Sequence, residues 1–328
     1  MSAPPEPARL AVLARYGVAV EGVRWVALGS GGGFSGASVW RGDDASGRPV
    51  LALKAWPADA TPDRLASIHA LLRRAAHMPF IPTVLPTRDR ATVTVEAGRV
   101  WDIARWMPGT ADFRAHPTAT RLTNTATALA RLHRAWEPAT PTTAPCPAVR
   151  RRLRVLADFD AARPALVRPP SFGHAGLDAA VRRATGAVAA RHEAARQSLL
   201  PWANRPVAIR PCACDLWHDH VLFSGDAVTG LIDFGAAKPD HVAVDLARTF
   251  GDLVGGDDAR FAAALDAYRA AGGPLDLPPD FVRLLDRTGV VGAAAGWLVQ
   301  LTATARHYAD PGAVAARLNH LLDRLEAY

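Results

Sequence analysis

Cys214-Asp215-Leu216-Trp217-His218-Asp219-His220-Val221-Leu222-Phe223, closed by Gly230-Leu231-Ile232-Asp233-Phe234-Gly235, sets an aspartate at either end of a short apolar segment. Val221-Leu222-Phe223 and Val228–Ile232 are β-like runs, and Ser224-Gly225-Asp226 between them has turn chemistry. The segment therefore reads as a β-hairpin, with Asp215 ahead of it and Asp233 at the end of its second strand. A hairpin draws its open ends together, so the two carboxylates are expected close to one another across one cleft. One can accept or orient a substrate proton, and the other can hold a hard divalent cation on phosphates. An Asp-Phe-Gly triplet alone is common by chance. Joined to an upstream aspartate on a loop and an apolar hairpin of this length, it is specific.

The hairpin is part of a β-like island, Val207 to Phe234, in a helical surrounding. Apolar stripes at helical spacing run through roughly 119–136, 147–162, 176–200, 242–254, 257–271, 279–308 and 312–327, and the Pro/Thr-rich stretch 138–148 reads as a loop. Before Pro108-Gly109 the character is different. Short β-like runs dominate there: Val23–Leu28, Val39–Arg41, Val50–Trp56, Thr92–Val95 and Val100–Trp106. One helix interrupts them. Thr61-Pro62-Asp63 supplies a cap, a first-turn proline and an acid, and Leu65, Ile68, Leu71 and Leu72 follow as a stripe. The expectation is an α+β chain of two lobes, a small β-rich lobe over 1–107 and a larger helical lobe over 108–328.

Within the first lobe, Gly29-Ser30-Gly31-Gly32-Gly33-Phe34-Ser35-Gly36 holds a G-x-G-x-x-G pattern at Gly31, Gly33 and Gly36. Such loops serve both dinucleotide folds and phosphate loops between strands, and context separates the two. A dinucleotide loop opens a helix and wants an acid about 20 residues on. Here another strand follows, and the residue 18 positions after Gly36 is a lysine, Lys54, inside Leu51-Ala52-Leu53-Lys54. A glycine hairpin over phosphates with a strand lysine behind it is the arrangement of kinases. The chain uses 36 arginines and only two lysines, Lys54 and Lys238, so a lysine kept in an apolar strand points to a site that wants a compact charge. The plainer alternatives are a flexible glycine turn and a snorkelling lysine.

On these residues the chain resembles the group of aminoglycoside phosphotransferases, choline kinases and type II homoserine kinases, which share the protein-kinase-like fold. The resemblance runs from the glycine segment past Asp245. It implies an ATP-dependent phosphotransferase acting on a hydroxyl of a small-molecule acceptor, with ATP and Mg2+ as cofactors. Asp215 matches the catalytic aspartate and Asp233 the metal aspartate. Lys54 matches the phosphate lysine, and Gly31, Gly33 and Gly36 fall in the phosphate loop. Asp245-Leu246-Ala247 matches a turn that supports the catalytic loop, and Val100–Gly109 the backbone hinge that contacts adenine.

Three positions depart from that pattern. Ala213 stands where the group carries a structural histidine. His220 stands where it carries the asparagine that ligates metal, and imidazole is a softer donor than Mg2+ prefers. Asp219 beside it offers oxygen but, as a strand-entry neighbour, points the other way. No glutamate lies between Lys54 and Glu96 to pair with the lysine, and the expected helix offers only Asp63 and His69. These departures keep open a binding module that retains the fold without transfer. His218, Trp217 and Trp297 read as packing residues as readily as substrate contacts.

Composition narrows the partners. The net charge of +7 comes from scattered arginines such as Arg150-Arg151-Arg152, without interleaved aromatics, so no nucleic-acid partner is expected. From residue 251 onward ten acids face seven arginines, which leaves room for an acidic acceptor cleft. No apolar run suits a membrane span, Met1-Ser2-Ala3-Pro4-Pro5-Glu6 lacks the features of an export signal, and Cys146, Cys212 and Cys214 lack metal-site spacing. A cytoplasmic location is expected.

Overall fold

The computed structural model describes residues 4–29, 36–140, 142–302, 308 and 310–328. In chain order its elements are α1 (Glu6–Tyr16), β1 (Arg24–Gly29), β2 (Ser38–Asp43), β3 (Pro49–Ala55), α2 (Pro62–Arg74), β4 (Thr94–Glu96) and β5 (Arg99–Arg105), then α3 (Ala119–Ala135), β6 (Thr142–Pro145), α4 (Pro147–Leu166), α5 (Ala175–Ala189), α6 (His192–Leu199) and β7 (Pro206–Cys212). The hairpin β8 (Val221–Ser224) and β9 (Ala227–Leu231) follows, and then β10 (Lys238–Asp240), α7 (Ala243–Val254), α8 (Asp258–Ala270), α9 (Pro279–Thr302) and α10 (Pro311–Glu326). The chain divides into two compact units: Met1–His116 with Asp219–Ala236, and Pro117–His218 with Ala237–Tyr328.

The first unit is built on an antiparallel sheet in the order β1-β2-β3-β5-β4. Alternation along β3 decides its faces. Leu51, Leu53 and Ala55 are buried on one side, so Val50, Ala52 and Lys54 take the other. The buried side packs with Trp40, Trp101 and Ile103 against Ala8, Val12 and Tyr16 of α1. Trp40 and Trp101 stack with centroids 5.5 Å apart. α2 starts as its sequence predicts: Thr61 Oγ1 accepts the Arg64 N–H at 3.4 Å, and Leu65, Ile68, His69 and Leu72 are buried.

The β8–β9 hairpin, counted above with residues 108–328, groups by contact with this first unit. Thr110 and Phe223 exchange both backbone hydrogen bonds at 2.9 Å, Leu231 N–H donates to the Phe80 carbonyl at 2.8 Å, and Thr229 Oγ1 donates to the Pro108 carbonyl at 2.7 Å. Gly109 makes this approach possible. Its φ is +100°, and a Cβ there would fall 2.3 Å from Thr229 Oγ1 and 2.6 Å from the Phe223 oxygen.

The second unit is helical around a small antiparallel sheet in the order β10-β7-β6. α9, apolar over most of its surface, is packed by α4, α7, α10, α5 and α6, while α3 lies on α8. Two local readings change. The stripe 176–200 is two helices, broken at Ala190-Arg191, and the Pro/Thr-rich stretch contains β6, paired from Thr142↔Ile209 to Pro145↔Pro206. A proline at the end of an edge strand removes no ladder donor, so the composition that suggests a loop also suits this strand. Helix α1 is an addition: Pro4, Pro5 and Pro7 hide the four-residue spacing of Ala8, Val12 and Tyr16. Residues 303–307, at the end of the stripe 279–308, lie outside the described residues. No helix among the described residues is long and apolar enough to cross a membrane.

Gly109→Ala and Gly225→Ala separate two effects. Both positions have positive φ, but nothing lies within 4 Å of a Cβ at Gly225. Gly225→Ala is expected to lose about 1 kcal/mol, the left-handed penalty alone. Gly109→Ala is expected to lose about 2–3 kcal/mol, because the hairpin must also move. Urea unfolding of the two variants measures the difference.

Candidate active site

In the first unit, Lys54 and Asp233 are 179 positions apart in sequence and meet at Nζ–Oδ1 3.0 Å. Each is aimed by its element. Lys54 is on the face of β3 opposite the core, and its Nζ sits 3.9 Å from the centroid of the Trp56 ring, two residues on along the same face. Asp233 follows β9 and has φ +59°, a left-handed conformation that aspartate tolerates better than most residues. Burial opposes its ionisation, but the charges of Lys54 and His220 and the hydrogen bonds from Lys54 and the Gly235 backbone outweigh it. The carboxyl is held below the usual aspartate range.

Lys54 has no helix glutamate because the helix is tied to the sheet in another way. Asp102 on β5 is the direct cross-strand neighbour of Lys54. Its Oδ2 accepts the Trp56 Nε1–H at 2.8 Å and lies 3.0 Å from His69 Nε2 of α2. A carboxylate only accepts, so Nε2 is the protonated nitrogen of His69. Both His69 and Asp102 are buried. A second tie joins α2 to the Asp233 segment: Arg64 Nη2 donates to the Gly235 carbonyl at 2.8 Å. Trp56 also covers Gly235, where a Cβ would fall 2.6 Å from the indole. Asp63 stays in the first turn of α2, where its charge suits the helix dipole.

His220 directly precedes β8, and its carbonyl accepts the Ile232 N–H at 3.0 Å, closing the open end of the hairpin. Its Nε2 lies 3.8 Å from Asp233 Oδ2, too long for a hydrogen bond but beside the same carboxylate. Gly36 has φ +83°, and its carbonyl accepts from Arg99. Gly31 and Gly33 lie outside the described residues. Among the described residues no group of three or more His, Cys, Asp or Glu is placed to hold a metal ion.

The second unit carries Asp215 on a loop held by one face of α7. Asp245, Arg248, Thr249 and Asp252 occupy i, i+3, i+4 and i+7 of that helix. Asp245, fully buried, accepts the Cys214 N–H at 2.6 Å on one oxygen and the Ala213 N–H at 2.7 Å on the other. His133 Nε2 reaches it at 3.0 Å and Tyr268 holds the far nitrogen of that imidazole at 2.7 Å. This clamp keeps Cys214 at φ +66°. A side chain at position 213 has no part in it, so alanine serves there. Thr249 Oγ1 donates to the Leu216 carbonyl at 3.0 Å. Asp252 accepts the His218 N–H at 3.0 Å and takes the His218 and His320 rings on its two oxygens. Burial works against that charge, but the two histidines outweigh it and hold the Asp252 carboxyl well below the usual range. Arg248 Nε and Nη2 both point at Asp215 Oδ1, each at 3.0 Å.

His218 is thus a loop-holding residue, and Trp217 a ring flanked by cations: Arg317 at 4.1 Å and Arg248 at 5.5 Å. Asp102 and the row Arg248, Thr249 and Asp252 are not singled out by the sequence alone. An acid inside an apolar β run and polar residues at helical spacing after Asp245 were the signals available for them.

Comparison with known proteins gives the family and the fold. The sequence model described as the phosphotransferase enzyme family matches residues 26–285. Among solved structures, spectinomycin phosphotransferase APH(9)-Ia in complex with ADP and spectinomycin aligns over 100% of this chain and 98% of its own at 12% identity and a TM-score of 0.71. Amicoumacin kinase hAmiN in complex with AMP-PNP, Ca2+ and Ami covers 98% of this chain and 94% of its own at 13% identity and TM-score 0.62. An aminoglycoside phosphotransferase from Alicyclobacillus acidocaldarius covers 100% and 95%, at 18% identity and TM-score 0.58. Comparison with curated proteins gives no match. At these identities the structural likeness shows the fold, which is the α+β protein-kinase-like one that the sequence predicts.

Two outcomes follow from the geometry. Asp245→Ala strands a buried imidazole and two buried N–H groups and is expected to cost about 3–5 kcal/mol in urea unfolding. The Lys54–Asp233 pair has a depressed carboxyl pKa, so its contribution is full above about pH 4 and is lost as the pH falls through the folded value. With Asp233 nearly half exposed, that contribution is at most about 1 kcal/mol. The unfolding difference between wild type and Asp233→Asn should be flat from pH 5 to 7 and shrink below pH 4.

Proposed function

The chain belongs to the phosphotransferase enzyme family, and on that footing we propose that it transfers the γ-phosphoryl group of ATP to a hydroxyl of a small molecule. The observation that carries the reading is the Lys54–Asp233 pair at 3.0 Å. A metal–phosphate unit has the complementary charge pattern: the lysine meets a phosphate oxygen and the carboxylate meets the cation. Magnesium is commonly held by one or two carboxylates together with substrate phosphates, so a complete protein cage is not needed. Asp233 fits that demand. His220, beside its Oδ2, adds a nitrogen donor, which suits manganese better than magnesium. Backbone N–H groups of the glycine segment that holds Gly31, Gly33 and Gly36 would supply the cradle for the phosphates.

Asp215 orients the acceptor hydroxyl and takes its proton as the new O–P bond forms and the bond to the β-phosphate oxygen breaks, releasing ADP. Arg248, with two donors on one carboxylate oxygen, fixes the direction in which Asp215 points. The Asp245 clamp fixes the backbone beneath it. Rate enhancement comes from positioning and charge neutralisation rather than covalent chemistry.

The test combines nucleotide binding and turnover. Mg·ATP or Mn·ATP should raise the melting temperature of the wild type and of Asp215→Asn, but not of Asp233→Asn. In Asp215→Asn, ADP formation with an accepted hydroxyl compound should fall by about 10²-fold or more. His220→Asn should shift the preference from Mn2+ toward Mg2+. Wild-type turnover in Asp215→Asn would remove that residue from the chemistry. No stabilisation by either metal–nucleotide complex would remove the kinase reading itself.

A further inference from the structure

Guanidinium groups stay charged, and buried ones are ordinarily matched by carboxylates or fully hydrogen-bonded. Arg317 on α10 is not matched in this way. Its guanidinium carbon sits 4.1 Å from the Trp217 ring centroid, and its Nη1 is buried without a hydrogen-bond partner among the described residues. The carboxylates around it are engaged by other groups. Asp215 is taken by Arg248, Asp252 by His218 and His320, and Asp286 by Arg283, Arg324 and Tyr328. Burial first, and then the like charge of Arg248, push the Arg317 pKa down to about 10. Two cations therefore flank one indole, two residues along the chain from Asp215, and among the described residues only Arg248 makes a direct ion pair, while Asp252 and Asp215 act on Arg317 from farther away.

The acids of the C-terminal segment do not offset this. Asp257 and Asp310 cap α8 and α10, Asp258 pairs with Arg283 and Arg287, and Asp266 with Arg269. Asp276 pairs with His241 and Arg210, and Asp323 and Glu326 with Arg183. With Asp252 and Asp286 engaged as above, Asp280 is the one of the ten acids without such a partner among the described residues. The other carboxylates are occupied by caps and ion pairs elsewhere, and none of them makes a direct pair with Arg317 among the described residues.

We propose that Arg317, with Arg248 beside it, forms an anion-recognising subsite, so that the acceptor whose hydroxyl meets Asp215 carries a carboxylate or a phosphate rather than several amines. The proposal rests on the reading of Asp215 as the acceptor-orienting group. A guanidinium gives forked hydrogen bonds to either anion, and the indole beneath holds its plane in place. An anion there supplies the direct partner that Nη1 lacks among the described residues.

Anion binding to the full chain in saturating Mg·ADP tests this, because the nucleotide then occupies the phosphate-binding groups around Lys54. The probes are malonate and inorganic phosphate, with glycerol and kanamycin as uncharged and polycationic controls, all at constant ionic strength. At about ten times its Kd, an anion should raise the wild-type melting temperature by about 2–4 °C. Arg317→Gln should keep the response to Mg·ADP, which also reports that it is folded, and lose the response to the anion. Arg317→Lys should recover part of it. The stronger of the two anions identifies the acceptor group as carboxylate or phosphate. An undiminished anion response in Arg317→Gln, no wild-type response to either anion at 50 mM, or a larger response to kanamycin would overturn the proposal. Failure of Mg·ADP to stabilise the wild type, with an anion response that still follows Arg317, would instead count against the phosphotransfer reading and leave the anion subsite standing.

Discussion

A single buried carboxylate sets the conformation on which Asp215 depends. Asp245 has no access to water, yet it carries a charge that two consecutive backbone N–H groups and one imidazole satisfy. Such an anion is tolerated only when its acceptor sites are filled, so it dictates where the donors must be. The chain answers by turning Cys214 into a left-handed conformation immediately before Asp215. The other contacts along α7 extend the same logic. Thr249 takes the Leu216 carbonyl and Asp252 the His218 N–H, so the loop is read residue by residue by one helix face. Asp215 is thereby placed by backbone hydrogen bonds, which do not depend on the identity of the residue at 213.

The first unit solves its positioning problem with neutral and charged groups in different places. Many kinases secure the strand lysine by pairing it with a helix carboxylate. Here the carboxylate has moved from helix to sheet. Asp102, across the ladder from Lys54, holds the indole that lies under the ammonium and the imidazole that comes from α2. The lysine is left to Asp233. A cation–π contact and a part-exposed ion pair are each weak, so Lys54 is held firmly enough to be aimed and loosely enough to change partner.

Much of this is legible in the sequence, and the parts that are not share a cause. The hairpin, the strand lysine, the capped α2 and most helices follow from local signals: a turn at Gly225-Asp226, alternation at Leu51, Leu53 and Ala55, a Thr-Pro-Asp start. Asp233 and Asp245 stood out because each lies in a short motif. Asp102 did not, because its role depends on strand register, which pairs it with Lys54 only once β3 and β5 are aligned. His69 was weighed as a partner for Lys54, whereas it serves Asp102, a distinction of one side-chain direction. The acidic surplus after residue 251 is plain in the composition, but composition does not reveal that its carboxylates cap helices and bind arginines. The grouping of the hairpin with Met1–His116 likewise depends on contacts that no local pattern encodes.

The His69–Asp102 contact also restricts how this sequence can drift. A glutamate at 69 restores, on paper, the lysine-pairing acid in a single step. It would instead set a second carboxylate against Asp102 in a buried setting, 3.0 Å from where the imidazole nitrogen now donates. One of the two would have to take up a proton, and the indole of Trp56 would compete for what remained of the charge. The helix acid becomes acceptable only after Asp102 is replaced, and Asp102 can be replaced cheaply only after His69 and Trp56 no longer need it. Each single step leads downhill in stability, so the two solutions are neighbours in geometry but separated by a valley in sequence space.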